Sequence, residues 1–110
     1  MVYVGSDDFN LYAFNAYSGA LLWTAPTGGA VHSSPAVRDG VVYVGSEDAR
    51  LYAFNANTGA SLWTAATAGR TIQSSPIVAN GVVYVDAFDS ATLYAFNTES
   101  GALLWTATTG

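Results

Sequence analysis

Short apolar runs separated by small and polar residues follow one another along the whole chain. In the middle of the sequence these runs are Val41–Val44, Leu51–Phe54, Ser61–Ala65 and Ser75–Val78. They contain many β-branched and aromatic residues, which favour strands. No segment keeps a helical apolar period over ten residues or more. The pattern therefore predicts an all-β chain of short strands.

Small and polar residues mark the turns between the runs. Asn55–Gly59 separates two of them, and Gly59 stands where such a bend often needs a positive φ. Asp39–Gly40 and Asn80–Gly81 are dipeptides typical of two-residue hairpins. We therefore expect consecutive strands to pair in antiparallel fashion.

The same unit occurs three times. The pentapeptide Leu-Tyr-Ala-Phe-Asn starts at Leu11, Leu51 and Leu93, and residues 2–25 match residues 42–65 at 18 of 24 positions. Four short antiparallel strands recurring every ~40–45 residues are typical of a β-propeller blade. The chain contains about 2.75 such repeats of about 41 residues.

The repeat predicts how the chain divides into structural units. Residues 1–25 form a partial blade that lacks its innermost strand, whereas residues 26–66 and 67–110 each form a full blade. We therefore predict three strands, then four and four, which together make one propeller-fragment domain.

A longer motif, Ala-x-Asn-x-x-Ser/Thr-Gly-x-x-x-Trp, recurs once in each unit. It resembles the tryptophan-docking motif of the PQQ-like (quinoprotein-type) propeller repeat, although that family commonly has Asp at the position of Asn15, Asn55 and Asn97. The resemblance implies a ring of seven or eight blades in which the tryptophan of the outermost strand packs between neighbouring blades. WD40 and kelch repeats fit less well. The docking residues implied by the resemblance are Trp23, Trp63, Trp105, Gly19, Gly59, Gly101, Ala13, Ala53 and Ala95.

Composition removes several classes of function. The formal net charge is −5, and three arginines with no lysine leave no basic stripe for nucleic acid or for an anionic membrane surface. The absence of cysteine excludes disulfides, thiol nucleophiles and zinc–thiolate sites. No apolar run approaches the ~20 residues that span a bilayer. Because no basic segment followed by an apolar one stands after Met1, we expect no secretory leader. We expect neither nucleic-acid binding nor membrane insertion.

The tryptophans and the acidic loops each have a chemical and a structural interpretation. A tryptophan can serve as a stacking platform for a sugar, quinone or nucleobase, but a fixed place in every repeat favours packing between blades. Asp7, Asp8 and Asn10 offer oxygens to calcium, yet turn chemistry explains these residue types without a metal. We predict no metal site and no cofactor.

His32 and Gln73 occupy equivalent positions, and each precedes Ser-Ser-Pro. Both fall near the start of an innermost strand, so we predict that His32, Ser33, Gln73 and Ser74 line a central channel and contact a small ligand. A histidine beside serines is not evidence of a hydrolase, because catalytic triads are assembled in space and neighbouring strand residues point to opposite faces. We predict no catalytic residue.

The resemblance raises the hypothesis of a PQQ-dependent dehydrogenase, but many of those enzymes place adjacent cysteines against the quinone, and this chain has none. We predict instead a non-enzymatic module that acts as a self-assembling scaffold or as an interaction surface for proteins or ligands. Two alternatives stay open. One is a fragment of a PQQ/Ca-dependent quinoprotein whose cofactor site lies outside this chain, and the other is an engineered or recently amplified repeat with no function beyond folding. The resemblance favours an extracytoplasmic location.

Two full units and a three-strand remnant do not close a ring, because propellers close with four or more blades. An open arc exposes apolar blade faces at its ends. Identical repeats allow the last blade of one chain to dock on the first blade of another, head to tail. We therefore predict a homo-oligomer, with a trimer somewhat ahead of a dimer. Other proteins are further possible partners.

Overall fold

The computed structural model describes residues 1–67, 72, 75–87 and 92–108. Within these residues, eleven strands form three antiparallel sheets. The first sheet contains β1 (Val2–Gly5), β2 (Asn10–Phe14) and β3 (Leu21–Pro26). The second contains β4 (Ala36–Arg38), β5 (Val41–Gly45), β6 (Arg50–Asn55) and β7 (Ser61–Ala66). The third contains β8 (Ile77–Ala79), β9 (Val82–Ala87), β10 (Thr92–Asn97) and β11 (Leu103–Thr108).

Each sheet is a simple meander in which consecutive strands are hydrogen-bonded neighbours. The all-β prediction and the predicted order of three, four and four strands are confirmed. The strand predicted over Ser75–Val78 begins later, at Ile77, because Pro76 has no backbone N–H to contribute to a ladder. The limits assigned to the three units from the sequence stay predictions.

The hairpins between the first two strands of each four-stranded sheet turn on two residues with positive φ. Asp39 and Gly40 have φ of 52° and 78°, and Asn80 and Gly81 have φ of 53° and 77°. Positive φ at both central positions is the signature of a type I′ turn, which asparagine, aspartate and glycine favour. The local sequence therefore determines these hairpins.

The second sheet is buried on both faces. Val42, Val44, Tyr52 and Phe54 pack towards the first sheet, in a cluster with Leu11, Ala25 and Val31. The alternate residues of the same strands pack towards the third sheet, in a cluster that includes Tyr43, Leu51, Val83, Val85 and Phe96. Burial on both faces explains why β5 and β6 read as continuous apolar runs rather than as alternating ones.

Candidate functional site

The tryptophan of each outermost strand reaches across to the next sheet wherever a next sheet is present. The indole Nε1 of Trp23 donates a hydrogen bond to the carbonyl of Ala56 at 3.1 Å. The indole Nε1 of Trp63 donates to the carbonyl of Thr98 at 2.9 Å. The hydroxyl of Tyr3 donates to the same Ala56 carbonyl at 2.9 Å. The carbonyl of Ala56, in the turn after β6, thus accepts hydrogen bonds from both Tyr3 and Trp23.

Each of these tryptophan rings lies directly on a glycine. A Cβ added to Gly59 would lie 2.6 Å from Cε3 of Trp23, and one added to Gly101 would lie 2.6 Å from Cε3 of Trp63. Both glycines also have positive φ, 79° and 75°. Glycine is therefore required at these positions for two reasons: the backbone has a positive φ, and the tryptophan ring leaves no room for a Cβ.

The alanine of the motif is the cross-strand neighbour of the tryptophan of its own sheet. Ala13, Ala53 and Ala95 are each fully buried. In the strand register they stand opposite Trp23, Trp63 and Trp105 respectively. Residues that stand directly opposite each other on antiparallel strands share one face of the sheet, so a small residue there leaves room for the ring.

The asparagine of the motif builds the turn that receives the next ring. The side-chain Oδ1 of Asn55 accepts hydrogen bonds from the backbone N–H groups of Asn57 at 2.8 Å and Thr58 at 3.1 Å. Its carbonyl accepts a bond from the N–H of Gly59 at 2.8 Å. Asn15 and Asn97 make the corresponding bonds. Because the acceptor is a side-chain oxygen, asparagine performs the function that aspartate has in the resembled motif.

The two ends of the arc leave this contact incomplete. Trp105 is 45% exposed, and no described carbonyl accepts a hydrogen bond from its indole. At the opposite end, a Cβ added to Gly19 would meet no atom of the described chain within 4 Å. One tryptophan and one glycine turn of the same motif therefore stay uncovered. The docking role assigned to the motif from the sequence stays a prediction that mutation can test.

His32 lies between two carboxylates that the sequence did not connect with it. Its Nε2 is 2.6 Å from Oδ1 of Asp7, and its Nδ1 is 2.8 Å from Oε2 of Glu47. Asp7 lies between β1 and β2, His32 between β3 and β4, and Glu47 between β5 and β6. The imidazole thus links equivalent loops of the first two sheets, and both of its nitrogens face a carboxylate oxygen.

Ser33 is buried and bonded to the backbone. Its Oγ donates to the carbonyl of Gly45 at 3.1 Å and accepts from the N–H of the same residue at 2.9 Å. The hydroxyl fixes the segment before β4 to the end of β5. Gln73 and Ser74, the other two predicted channel residues, lie outside the described residues. The predicted contacts with a small ligand stay predictions.

Two further acidic loop residues, Asp8 and Asp48, accept hydrogen bonds within their own turns. The carboxylate of Asp8 accepts hydrogen bonds from the hydroxyl of Tyr12 and from the N–H of Asn10. The bond from Tyr12 holds the pKa of Asp8 below its usual value and raises the pKa of Tyr12. Asp48 accepts the corresponding bond from Tyr52, whose pKa is raised first by burial and then by this bond. Among the residues that the structure describes, no group of three or more His, Asp or Glu side chains could hold a metal ion.

A groove of about 590 Å³ opens between the second and third sheets, beside the docked Trp63. Tyr43 and Trp63 contribute aromatic surface to it, and Arg38, Asp39 and Glu99 contribute charge. Two of these charged positions are occupied by uncharged residues in the other repeats. Position 38 corresponds to Ala79 in the third unit, and position 99 corresponds to Asn57 in the second and Tyr17 in the first. The charged walls therefore belong to this junction and are not part of the repeat.

The three sheets superpose on solved β-propellers. BamB from Moraxella catarrhalis matches with a TM-score of 0.84 and 22% identity, over 97% of this chain and 32% of that chain. The quinohemoprotein alcohol dehydrogenase ADHIIG from Pseudomonas putida HK5 matches with a TM-score of 0.82 and 28% identity, over 94% of this chain and 18% of that chain. The sheets are therefore β-propeller blades of the PQQ-like type, as the repeat predicted.

Sequence comparison gives the family. The family described as outer membrane protein assembly factor BamB matches residues 7–110. BamB of Yersinia pestis is 49% identical over 41 residues, which are 37% of this chain and 10% of that protein. The chain belongs to this family of PQQ-like propeller repeats. It spans about a third or less of the length of the relatives it matches. No described helix is long and apolar enough to cross a membrane.

Proposed function

We propose that this chain is a non-enzymatic propeller module that binds other proteins through apolar surface exposed on its blades and so acts as an extracytoplasmic scaffold. The observation that carries the proposal is the set of exposed leucines on the outermost strands of the first two blades, where Leu21, Leu22 and Leu62 are 53%, 47% and 48% exposed. Uncovered apolar surface of this kind marks sites of protein interaction. The relatives described as outer membrane protein assembly factors give the family and favour the location.

The polar side chains that first suggested chemistry are engaged in holding the fold. Both nitrogens of His32 face carboxylates, and the Ser33 hydroxyl bonds to the backbone of Gly45. An enzymatic nucleophile needs a base aimed at it and an open position for the reacting atom. These contacts support a structural role for His32 and Ser33.

A second candidate is a piece of a quinoprotein dehydrogenase. The 28% identity to a quinohemoprotein alcohol dehydrogenase favours it. On this hypothesis the chain contributes blades to the ring, and the quinone and its calcium ion are held mostly by residues outside it.

Titration of the 110-residue chain with PQQ and calcium chloride tests whether this chain itself holds any part of a quinone site. The fluorescence of Trp23, Trp63 and Trp105 reports binding near any blade, because each blade carries one of them. We expect no saturable quenching and no calcium dependence. A matched titration with PQQ and a calcium chelator corrects for light absorbed by the quinone. Saturable, calcium-dependent binding would overturn the proposal in favour of the quinoprotein.

A further inference from the structure

We propose that the groove between the second and third blades binds a partner peptide in which a basic and an acidic side chain flank an apolar one. The inference rests on the proposed protein-binding role and names the site and the chemistry of its partner. Both walls of the groove come from four-stranded blades, which meet at the docked Trp63. Its volume of about 590 Å³ is within the range of pockets that bind ligands.

The rims of the groove are fixed by backbone hydrogen bonds. In the third blade the hairpin of Asn80 and Gly81 is joined to the turn after β10, because the N–H of Thr98 donates to the carbonyl of Gly81 at 3.1 Å. In the second blade the N–H of Ala56 donates to the carbonyl of Gly40 at 2.8 Å. The groove is therefore formed before a partner binds, which lowers the entropic cost of binding.

Apolar side chains line part of the groove. Val41 and Val78 come from hairpin strands of the two blades, and Leu62 and Trp63 come from β7. Leu62 is 48% exposed and is one of the leucines on which the proposed protein-binding role rests. The groove is therefore continuous with that apolar surface, and an apolar side chain of a partner gains free energy by leaving water there.

The walls of the groove also carry charges that are free to contact a partner. Arg38 and Asp39 lie on the second blade, and Glu99 lies on the third. The Nε atom of Arg38 is 4.0 Å from Oδ2 of Asp39, which makes a long ion pair between two exposed side chains. In the part of the chain that the structure describes, no hydrogen bond involves the guanidinium of Arg38 or the carboxylate of Glu99.

These charges define the chemistry of the partner. A guanidinium binds a carboxylate through two parallel hydrogen bonds, so Arg38 fits an acidic side chain. The carboxylate of Glu99 fits a basic side chain for the same reason. The net charge of −5 further favours the approach of a basic group. A peptide that carries both charges around an apolar residue matches the two walls and the apolar lining together.

The other repeats show that a blade folds without these charges. Ala79 occupies the position of Arg38 in the third blade and ends β8. Asn57 occupies the position of Glu99 in the second blade, and the backbone N–H of each accepts the same role in its turn, with a hydrogen bond of 2.8 Å to an asparagine side chain. Neither charge is needed for the strand or the turn that carries it, so both are available for binding.

The repeat therefore supplies the variants that test the site. Arg38→Ala and Glu99→Asn each replace a charge of the groove with the residue that another blade has there, so both should fold, and circular dichroism checks this. Arg50→Ala is the matched control. Arg50 is exposed and begins β6, whereas the groove adjoins the opposite end of that strand, where Asn55 pairs with Val41.

Three peptides with acetylated and amidated ends serve as probes. Gly-Asp-Leu-Lys-Gly has both charges and the apolar side chain. Gly-Asn-Leu-Gln-Gly keeps only the apolar side chain, and Gly-Asp-Gly-Lys-Gly keeps only the charges. NMR correlation spectra of nitrogen-labelled protein follow binding through the indole N–H signals of the three tryptophans, one in each blade. The signal that disappears in Trp63→Phe belongs to the groove.

We expect Gly-Asp-Leu-Lys-Gly to shift the Trp63 signal saturably and to leave the Trp23 signal in place, because the junction beside Trp23 has Asn57 where the groove has Glu99. Arg38→Ala and Glu99→Asn should each weaken binding about fivefold, which corresponds to one exposed ion pair. Arg50→Ala should leave the affinity unchanged. Both control peptides should bind more weakly, and added sodium chloride should weaken the charged contacts.

Three results would overturn the site: a Trp63 signal that no peptide concentration shifts, equal affinities for the charged and the uncharged leucine peptides, or groove variants that bind like wild type. A peptide that shifts only the Trp23 signal would also contradict the groove, but it would leave the protein-binding role intact. Calcium-dependent binding of PQQ would contradict the non-enzymatic role instead. The two failures are therefore seen in different experiments.

Discussion

Replacing Trp63 with alanine removes the side chain that joins the second blade to the third. Its indole donates to the carbonyl of Thr98 at 2.9 Å, its ring lies on Gly101, and it packs 5.9 Å from the ring of Tyr43. Trp63→Ala therefore uncovers apolar surface of the third blade and leaves the Thr98 carbonyl without its donor. We expect a large loss of stability from one residue.

The magnitude follows from these contacts. Truncating a packed tryptophan to alanine costs about 3–5 kcal/mol. Within that total, the lost hydrogen bond accounts for about 1 kcal/mol, and the lost aromatic pair for about 0.5–1.5 kcal/mol. Because Trp63 is only partly buried, we expect the lower end, about 3 kcal/mol. Trp63→Phe keeps a ring and loses the N–H, so it should cost roughly half as much.

Urea unfolding followed by circular dichroism measures the loss. Trp105→Ala is the control, because Trp105 has the same motif and the same tyrosine neighbour but is 45% exposed and bonds to no described carbonyl. The control should cost less than about 1 kcal/mol. Equal costs for the two variants, or a cost below about 1 kcal/mol for Trp63→Ala, would refute the docking role.

Three further predictions follow from the backbone and from titration. Gly101→Ala should destabilise the chain by about 2 kcal/mol or more, because its Cβ would lie 2.6 Å from the ring of Trp63. Gly19→Ala should cost only the backbone strain of about 1 kcal/mol, because no described atom lies within 4 Å of its Cβ. Urea unfolding of the two variants measures the difference. Burial raises the pKa of Tyr43 above its ordinary 10.0, so the unfolded chain loses this proton first, and stability should fall as the pH rises past about 10. Unfolding free energies between about pH 9 and 11 should fall less steeply in Tyr43→Phe, and an unchanged slope would count against this assignment. Ala49→Gly should raise stability by about 0.5 kcal/mol, since Ala49 has a φ of 67° that glycine adopts without strain; a lower thermal midpoint would contradict it.

The strands and hairpins could be predicted from the sequence because their causes are local. Apolar runs in β5 and β6, and the dipeptides Asp39–Gly40 and Asn80–Gly81, carry their own preferences for extended and left-handed backbone. The three copies of the repeat predict the same strands and turns, which strengthened the prediction. The left-handed conformation of Ala49 was not predictable, because alanine has no preference for it and the surrounding turn imposes it.

The surroundings of His32 depended on tertiary structure. Its position before β4 could be predicted from the repeat, but Asp7 and Glu47 lie in loops of two different blades. Only the stacking of those blades brings the two carboxylates to opposite sides of one imidazole. Sequence spacing contains no information about such contacts, because they depend on how sheets pack rather than on how one strand runs.

The docking tryptophans show most directly what the sequence determines and what the tertiary structure determines. The sequence determined the motif itself: a buried alanine opposite each ring, an asparagine that closes the turn and a glycine on which a ring lies. It gave no difference between Trp63 and Trp105, which have the same local motif. The structure separates them, because Trp63 donates to a carbonyl of the next blade whereas Trp105 is 45% exposed. Burial is a property of neighbours, so only the tertiary structure decided which copies of the motif contact a following blade.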